Sequence, residues 1–203
     1  MANTSPISFP IMEHFYTIQG EGRNAGKASY FFRIGGCDVG CPWCDVKESW
    51  DDGHPKMTIE EIINLASEAE AKNIVITGGE PCMYDLVELT KELKSAGFNL
   101  WLETSGAYEI TGVWDWIVVS PKRRKPCLPS SLKKAHELKV VVVRSMDFDW
   151  AKEHAKSVSE NCALYLQPEW SREEEMLPQV INFVKANSEW QISLQTHKYM
   201  QIP

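Results

Sequence analysis

Three cysteines lie within the short run Cys37-Asp38-Val39-Gly40-Cys41-Pro42-Trp43-Cys44. Thiolates are soft ligands, and spaced this closely they point to zinc or to an iron–sulfur cluster. The ligand count separates the two. A structural zinc takes four closed ligands, and no fourth stands nearby in the usual pair spacing: Cys82 is distant in the chain and His54 is isolated. Three sulfurs on a cubane leave one iron without a protein ligand, which suits an enzyme that binds something there. The isolated Cys82, Cys127 and Cys162 read as small buried side chains.

A loop of this kind needs a frame. Apolar and β-branched runs at Tyr30–Ile34, Asn73–Thr77, Phe98–Glu103, Trp114–Ser120, Leu138–Val143, Ala163–Gln167 and Trp190–Gln195 predict strands, most of them continuous enough to be buried on both faces. Helical patterns fall between several of them. Thr58 and Glu61 make a capping box ahead of Ile59, Ile62, Ile63 and Ala66; Leu86, Leu89 and Leu93 share one helical face, as do Met176, Leu177, Val180, Ile181 and Val184. Alternating strands and helices imply an α/β fold with a mostly parallel sheet and right-handed crossovers. A closed eightfold barrel takes roughly 250 residues, more than the 203 present. The expectation is therefore an incomplete, open (βα) TIM-like barrel, residues 1–203 forming one domain, with Arg123–Ser131 its one long loop.

Polar or glycine-rich signatures follow the predicted strands one after another: Gly78-Gly79-Glu80-Pro81, Thr104-Ser105-Gly106, Pro121-Lys122, Pro168-Glu169 and Thr196-His197-Lys198. Any one of these is a turn. In a parallel barrel all of them lie on the rim where such folds build active sites.

Composition removes other classes. The formal charge of −7, with no basic run longer than Lys122 to Lys125, disfavours a nucleic-acid partner. No stretch approaches the roughly 18 to 20 apolar residues of a membrane span, and Met1–Pro10 lacks the regions of an export signal. A cytoplasmic location is expected, where cysteines serve as ligands or packing rather than as disulfides.

The cysteine run resembles the CxxxCxΦC signature of the radical S-adenosylmethionine superfamily, with Trp43 as the aromatic, and Gly78-Gly79-Glu80 resembles its GGE motif. Upstream, Glu13 to Arg23 with Phe32 to Cys37, and later Ser120-Pro121-Lys122, Leu166-Gln167-Pro168, Gln195 to Lys198 and the terminal Pro203, are similar to the 7-carboxy-7-deazaguanine synthase family. That resemblance implies a lyase that contracts 6-carboxy-5,6,7,8-tetrahydropterin to 7-carboxy-7-deazaguanine and releases ammonia, on the route to queuosine-type bases. It implies a [4Fe–4S] cluster on Cys37, Cys41 and Cys44, with S-adenosylmethionine on the open iron. Reductive cleavage of the sulfonium then gives a 5′-deoxyadenosyl radical that takes hydrogen from C6 of the pterin.

By the same resemblance Trp43, Asp45, Gly79, Glu80, Thr104, Ser120, Pro121, Lys122 and Gln167 bind the cosubstrate, and Ile18, Gln19, Gly20, Glu21, Arg33, Thr77, His197 and Pro203 bind the substrate. No side chain is assigned as the catalyst itself. The chemistry agrees: Glu21 and the Gln19 backbone can pair with a donor-rich pterin edge, and Arg33 with its carboxylate. The family commonly has a hydroxyl two positions after the last cluster cysteine to bind Mg2+. Here that position is Val46, which cannot ligate a hard cation, leaving Asp45 as the nearest candidate. A homodimer and a reducing partner such as flavodoxin or ferredoxin also follow from the resemblance. Two rivals share the cysteine spacing, an activating enzyme for glycyl radicals and a non-catalytic zinc module.

Overall fold

The computed structural model describes residues 6–203; the part of the export-signal reading that concerns residues 1–5 lies outside the described residues. The described residues form two compact units, one of 6–17, Ala28–Glu103 and Thr111–Asp115, the other of Ile18–Lys27, Thr104–Ile110 and Trp116–Pro203.

In the first unit the strands are β1 (Ser8–Ile18), β2 (Ala28–Ile34), β3 (Lys56–Thr58), β4 (Asn73–Gly78) and β5 (Asn99–Thr104), in the order β3-β1-β2-β4-β5. β3 runs antiparallel to β1, pairing Met57 with Phe9. β2, β4 and β5 are parallel to one another: Arg33 of β2 pairs with Thr77 of β4, and Val75 of β4 with Trp101 of β5. Ile74, Val75 and Ile76 are all fully buried, so β4 is covered on both faces, and each such side chain contributes about 1.5–3 kcal/mol by leaving water. Helix α1 (Ile59–Glu68) begins at the expected capping box: Thr58 Oγ1 accepts from the Glu61 amide at 3.2 Å, and Glu61 Oε2 accepts from the Thr58 amide at 2.7 Å. Ile62 and Ala66 of α1 are buried, as are Leu89 and Leu93 of α2 (Val87–Ser95).

In the second unit β6 (Trp116–Val119), β7 (Glu137–Val142), β8 (Ala163–Pro168) and β9 (Trp190–Ile192) lie side by side in chain order, all parallel. Lys139 is opposite Tyr165 and Val141 opposite Gln167. The helices are α3 (Pro129–Lys134), α4 (Met146–Ala155), α5 (Glu173–Ala186) and α6 (Thr196–Met200). Among the described residues no helix is long and apolar enough to cross a membrane.

Each expected strand is present, with shifted ends. β6 starts at Trp116 rather than Trp114, and β9 stops at Ile192, because the polar residues from Ser193 onward are taken up by side-chain bonding. The expected Arg123–Ser131 loop is shorter than read: Pro129 opens α3, a position where its missing N–H costs nothing. β1 and β3 were not foreseen, β1 because Glu13 and His14 interrupt its apolar pattern and β3 because it spans only Lys56–Thr58. Nor was α4, which buries only Asp147 and Ala151 and so carries no apolar stripe.

Candidate active site

In the first unit the cysteine loop leaves the end of β2 and is held by backbone. The Gly36 amide donates to Ser49 O at 2.9 Å, the Cys37 amide to Trp50 O at 3.2 Å and the Cys44 amide to Cys41 O at 3.1 Å. The turn after β4 docks on the same backbone, the Gly79 amide donating to Ile34 O and the Glu80 amide to Gly36 O, both at 2.9 Å. Gly79 has no room for a side chain: a Cβ there would meet Gly36 O at 2.4 Å, Ser49 O at 2.5 Å and Cys37 Cβ at 2.7 Å. The GGE glycines thus place Glu80, itself buried, beside the cysteine loop. Glu80 Oε1 also caps the following turn by accepting from the Cys82 amide at 3.1 Å.

All three cysteines of the loop are half-buried, and none is in a disulfide. Burial pushes the Cys37 thiol up, with Glu80 and Cys44 adding to the effect, while the backbone N–H groups of Val39 and Gly40 donate to its sulfur and oppose it. Amide donors aimed at a ligand sulfur are the environment an iron–sulfur cluster asks for, and iron binding draws off the remaining proton. Among the described residues no group of three or more His, Cys, Asp or Glu is placed to hold one metal ion. A cubane needs a different arrangement, with one sulfur at each of three irons, and three thiols along one loop match that donor set.

Val46 stands where a hydroxyl was looked for, and its carbonyl accepts from Ser49 Oγ at 2.6 Å. Trp43 is half-buried and Asp45 exposed. Arg33 and Thr77 are register partners on neighbouring strands, so their side chains leave the sheet on the same face. Arg33 Nε donates to Glu13 Oε1 at 2.6 Å.

In the second unit Glu21 is the focus. Its Oε1 accepts from Gln195 Nε2 at 2.9 Å and Gln167 Nε2 at 3.2 Å, and its Oε2 pairs with Lys139 Nζ. Burial opposes ionisation of this carboxyl. The Lys139 ammonium, the amide of Gln195 and the nearby His197 outweigh it and hold Glu21 at about 2, below its usual 4.5. Gln167 Oε1 accepts from Ser193 Oγ at 2.8 Å, and Ser193 Oγ accepts from the Gly22 amide at 2.9 Å.

Gly20 lies so close to α6 that a Cβ would fall 2.3 Å from His197 Nδ1, and its carbonyl accepts from the Thr196 amide at 3.0 Å. The Gln19 amide donates to Lys27 O and its carbonyl accepts from the Gly26 amide, so this backbone already bonds within its own turn. Ile18 leads into that turn, and Pro203 is exposed at the end of the chain.

At the ends of β5 and β6, Ser120 donates its amide to Thr104 O at 2.8 Å, and Lys122 Nζ folds back onto Ser120 O at 2.7 Å and Oγ at 2.6 Å. Pro121 is buried between them. The unit thus brings Gln19, Gly20, Glu21, Gln167 and His197 together. It joins Thr104, Ser120 and Lys122 in a second group.

The arrangement offers a thiol set for a cluster in one unit and an ionised acceptor among amides in the other. Residues 32–111 match the Radical SAM superfamily. A 7-carboxy-7-deazaguanine synthase of Flavobacterium psychrophilum is 51% identical over 195 residues, covering 96% of this chain and 92% of the relative. This chain belongs to the 7-carboxy-7-deazaguanine synthase family. A Synechocystis synthase is 47% identical over 197 residues, 97% of this chain and 94% of that one. The crystal structure of QueE from Escherichia coli matches with a TM-score of 0.84 at 32% identity, over 92% of this chain and 93% of its own. Like that synthase family, the chain is a radical SAM enzyme with the incomplete, mostly parallel (βα) barrel fold, and its cofactors are a [4Fe–4S] cluster and S-adenosylmethionine.

Lys139, Gln195, Ser193 and Glu13 were not singled out in the sequence. A lysine in the middle of an apolar β7 was a usable signal, because charged residues are almost never buried unless paired. Gln195 begins a stretch already flagged, and only its side-chain contact distinguishes it from a strand end.

Proposed function

We propose that this enzyme converts 6-carboxy-5,6,7,8-tetrahydropterin to 7-carboxy-7-deazaguanine with loss of ammonia, in queuosine-type base biosynthesis. The observation that carries the reading is Glu21, kept as a carboxylate by Lys139 among the amides of Gln167 and Gln195. An anionic acceptor matches the N–H donors of the pterin's amino-amide edge. His197 sits beside the same turn. Arg33, oriented by Glu13 through one N–H, has the fork geometry for the substrate carboxylate, with Thr77 next to it on the same face.

When bound, the cluster and S-adenosylmethionine supply one-electron chemistry at the sulfonium. Cys37, Cys41 and Cys44 hold the cluster; Glu80 and the Gly79 backbone take the methionine amino group; Thr104, Ser120, Pro121, Lys122 and Gln167 contribute to the rest of the cosubstrate. The protein's share is to orient both molecules and exclude water. With Val46 at the position of the family hydroxyl, Asp45 is the nearest side chain that would hold Mg2+. The chain acts as one catalytic domain in a cytoplasmic homodimer, reduced by a donor of the flavodoxin or ferredoxin kind.

The test is anaerobic reconstitution, reduction, and incubation with the carboxylated tetrahydropterin and S-adenosylmethionine. Formation of the deazaguanine supports the reading. Protein with a full iron complement that consumes neither molecule rules it out.

A further inference from the structure

Lys139 occupies the third position of β7, in a run that is apolar from Val140 onward, and it is only 4% exposed. A lysine in water keeps its ammonium hydrated on a flexible stem. This one is locked against Glu21 Oε2. An ionised carboxylate offers about four lone-pair positions. Lys139 uses one on Oε2, and Gln167 and Gln195 fill both on Oε1. Gln167 cannot turn away easily, because Ser193 Oγ donates to its other amide atom and is itself tied to the Gly22 amide. The acceptor left over is on Oε2, beside the ammonium.

We propose that Lys139 is a positioning residue for substrate recognition: it clamps Glu21 so that Oε2 presents a single open acceptor to one N–H of the pterin edge. The role rests on the pterin reading above. The charged groups facing Glu21 are Lys139 from β7 and His197 from α6, while Gln167 and Gln195 face it as neutral amides. Without Lys139 the buried carboxyl loses its nearest cation and takes up a proton more readily. A protonated Glu21 turns a donor toward donors, and recognition fails.

The experiment compares wild type, Lys139→Met, Lys139→Arg and the double variant Lys139→Met/Glu21→Gln, each with its cluster reconstituted and S-adenosylmethionine bound. Equilibrium binding of the pterin is measured alongside kcat and KM between about pH 5 and pH 9. Lys139→Met is expected to weaken pterin binding and raise KM by about 10-fold or more near neutrality, the scale of a charge-assisted hydrogen bond. Its affinity should recover toward higher pH, as Glu21 ionises, whereas wild-type affinity stays flat across that range. Iron content should not change, and Lys139→Arg should bind more tightly than Lys139→Met.

The double variant replaces a buried pair with neutral groups and so keeps the fold if the single variant does not; it should still bind pterin weakly. A double variant that binds as tightly as wild type overturns the role, as does a Lys139→Met enzyme with wild-type affinity at every pH. Wild type that does not bind the pterin at all removes the functional reading and this role with it.

Discussion

Gly79 and Gly36 touch through their backbones, with the place of a Gly79 Cβ only 2.4 Å from the Gly36 carbonyl oxygen. The cysteine loop and the turn after β4, proposed to hold the cluster and its cosubstrate, are therefore set against each other by the absence of side chains. Gly79→Ala should force them apart at a cost of about 1–3 kcal/mol. Because Cys37 Cβ is the third atom in the way, the variant should also retain less iron after anaerobic purification, read by iron analysis and the visible absorbance of the cluster. Wild-type iron content would show that the loops have slack.

Gly22 meets a different obstacle. Its φ of 62° is left-handed, and a Cβ would lie 2.0 Å from Glu137 Oε1. Glu137 is buried, with Oε2 accepting from the Arg23 amide at 3.1 Å and Trp116 Nε1 at 3.0 Å, so it cannot withdraw without giving up both. Gly22→Ala should lose about 2–5 kcal/mol, backbone strain and crowding together. A thermal melt within a degree or two of wild type would contradict this.

Acid should uncouple the second unit. Glu21 titrates at about 2 when folded, against 4.5 as its ordinary value. Its ionised form thus stabilises the fold fully above the unfolded value, and that stability drains away as the pH falls toward 2. The difference corresponds to about 3 kcal/mol. Urea midpoints measured from about pH 6 down to pH 3 should fall in wild type and fall less steeply in Glu21→Gln, with parallel slopes as the contrary result.

Asp147 carries a share of the β6–β7 side. Buried in the first turn of α4, it accepts from the Val143 amide at 2.9 Å, the Arg144 amide at 3.0 Å and Arg123 Nε at 2.8 Å. Asp147→Ala strands these donors, and a loss of about 1–3 kcal/mol is expected. Arg123 follows the Ser120-Pro121-Lys122 turn directly, so protease cleavage after Arg123 or Arg124 should also speed up. Unchanged cleavage would mean that the turn is held by its own contacts.

The buried parallel strands were legible because β4 and β7 are nearly unbroken apolar runs, and α1 announced itself through Thr58 and Glu61. The cluster cysteines stood out by spacing along one loop. What sequence could not convey is pairing at a distance. Lys139 and Gln195 become site residues only because β7 and the segment after β9 bring them to Glu21, and no local pattern encodes that meeting. Arg33 was legible as a cation, but its dependence on Glu13 follows from β1 lying next to β2, and β1 hides its strand character behind Glu13 and His14.

Gln195 reaches Glu21 across 174 positions of chain. On the ribosome, the carboxylate is therefore made long before this partner. A nascent or C-terminally clipped molecule can own every cysteine and still leave Glu21 without Gln195, so on the proposed reading brown colour alone is a poor certificate of competent enzyme.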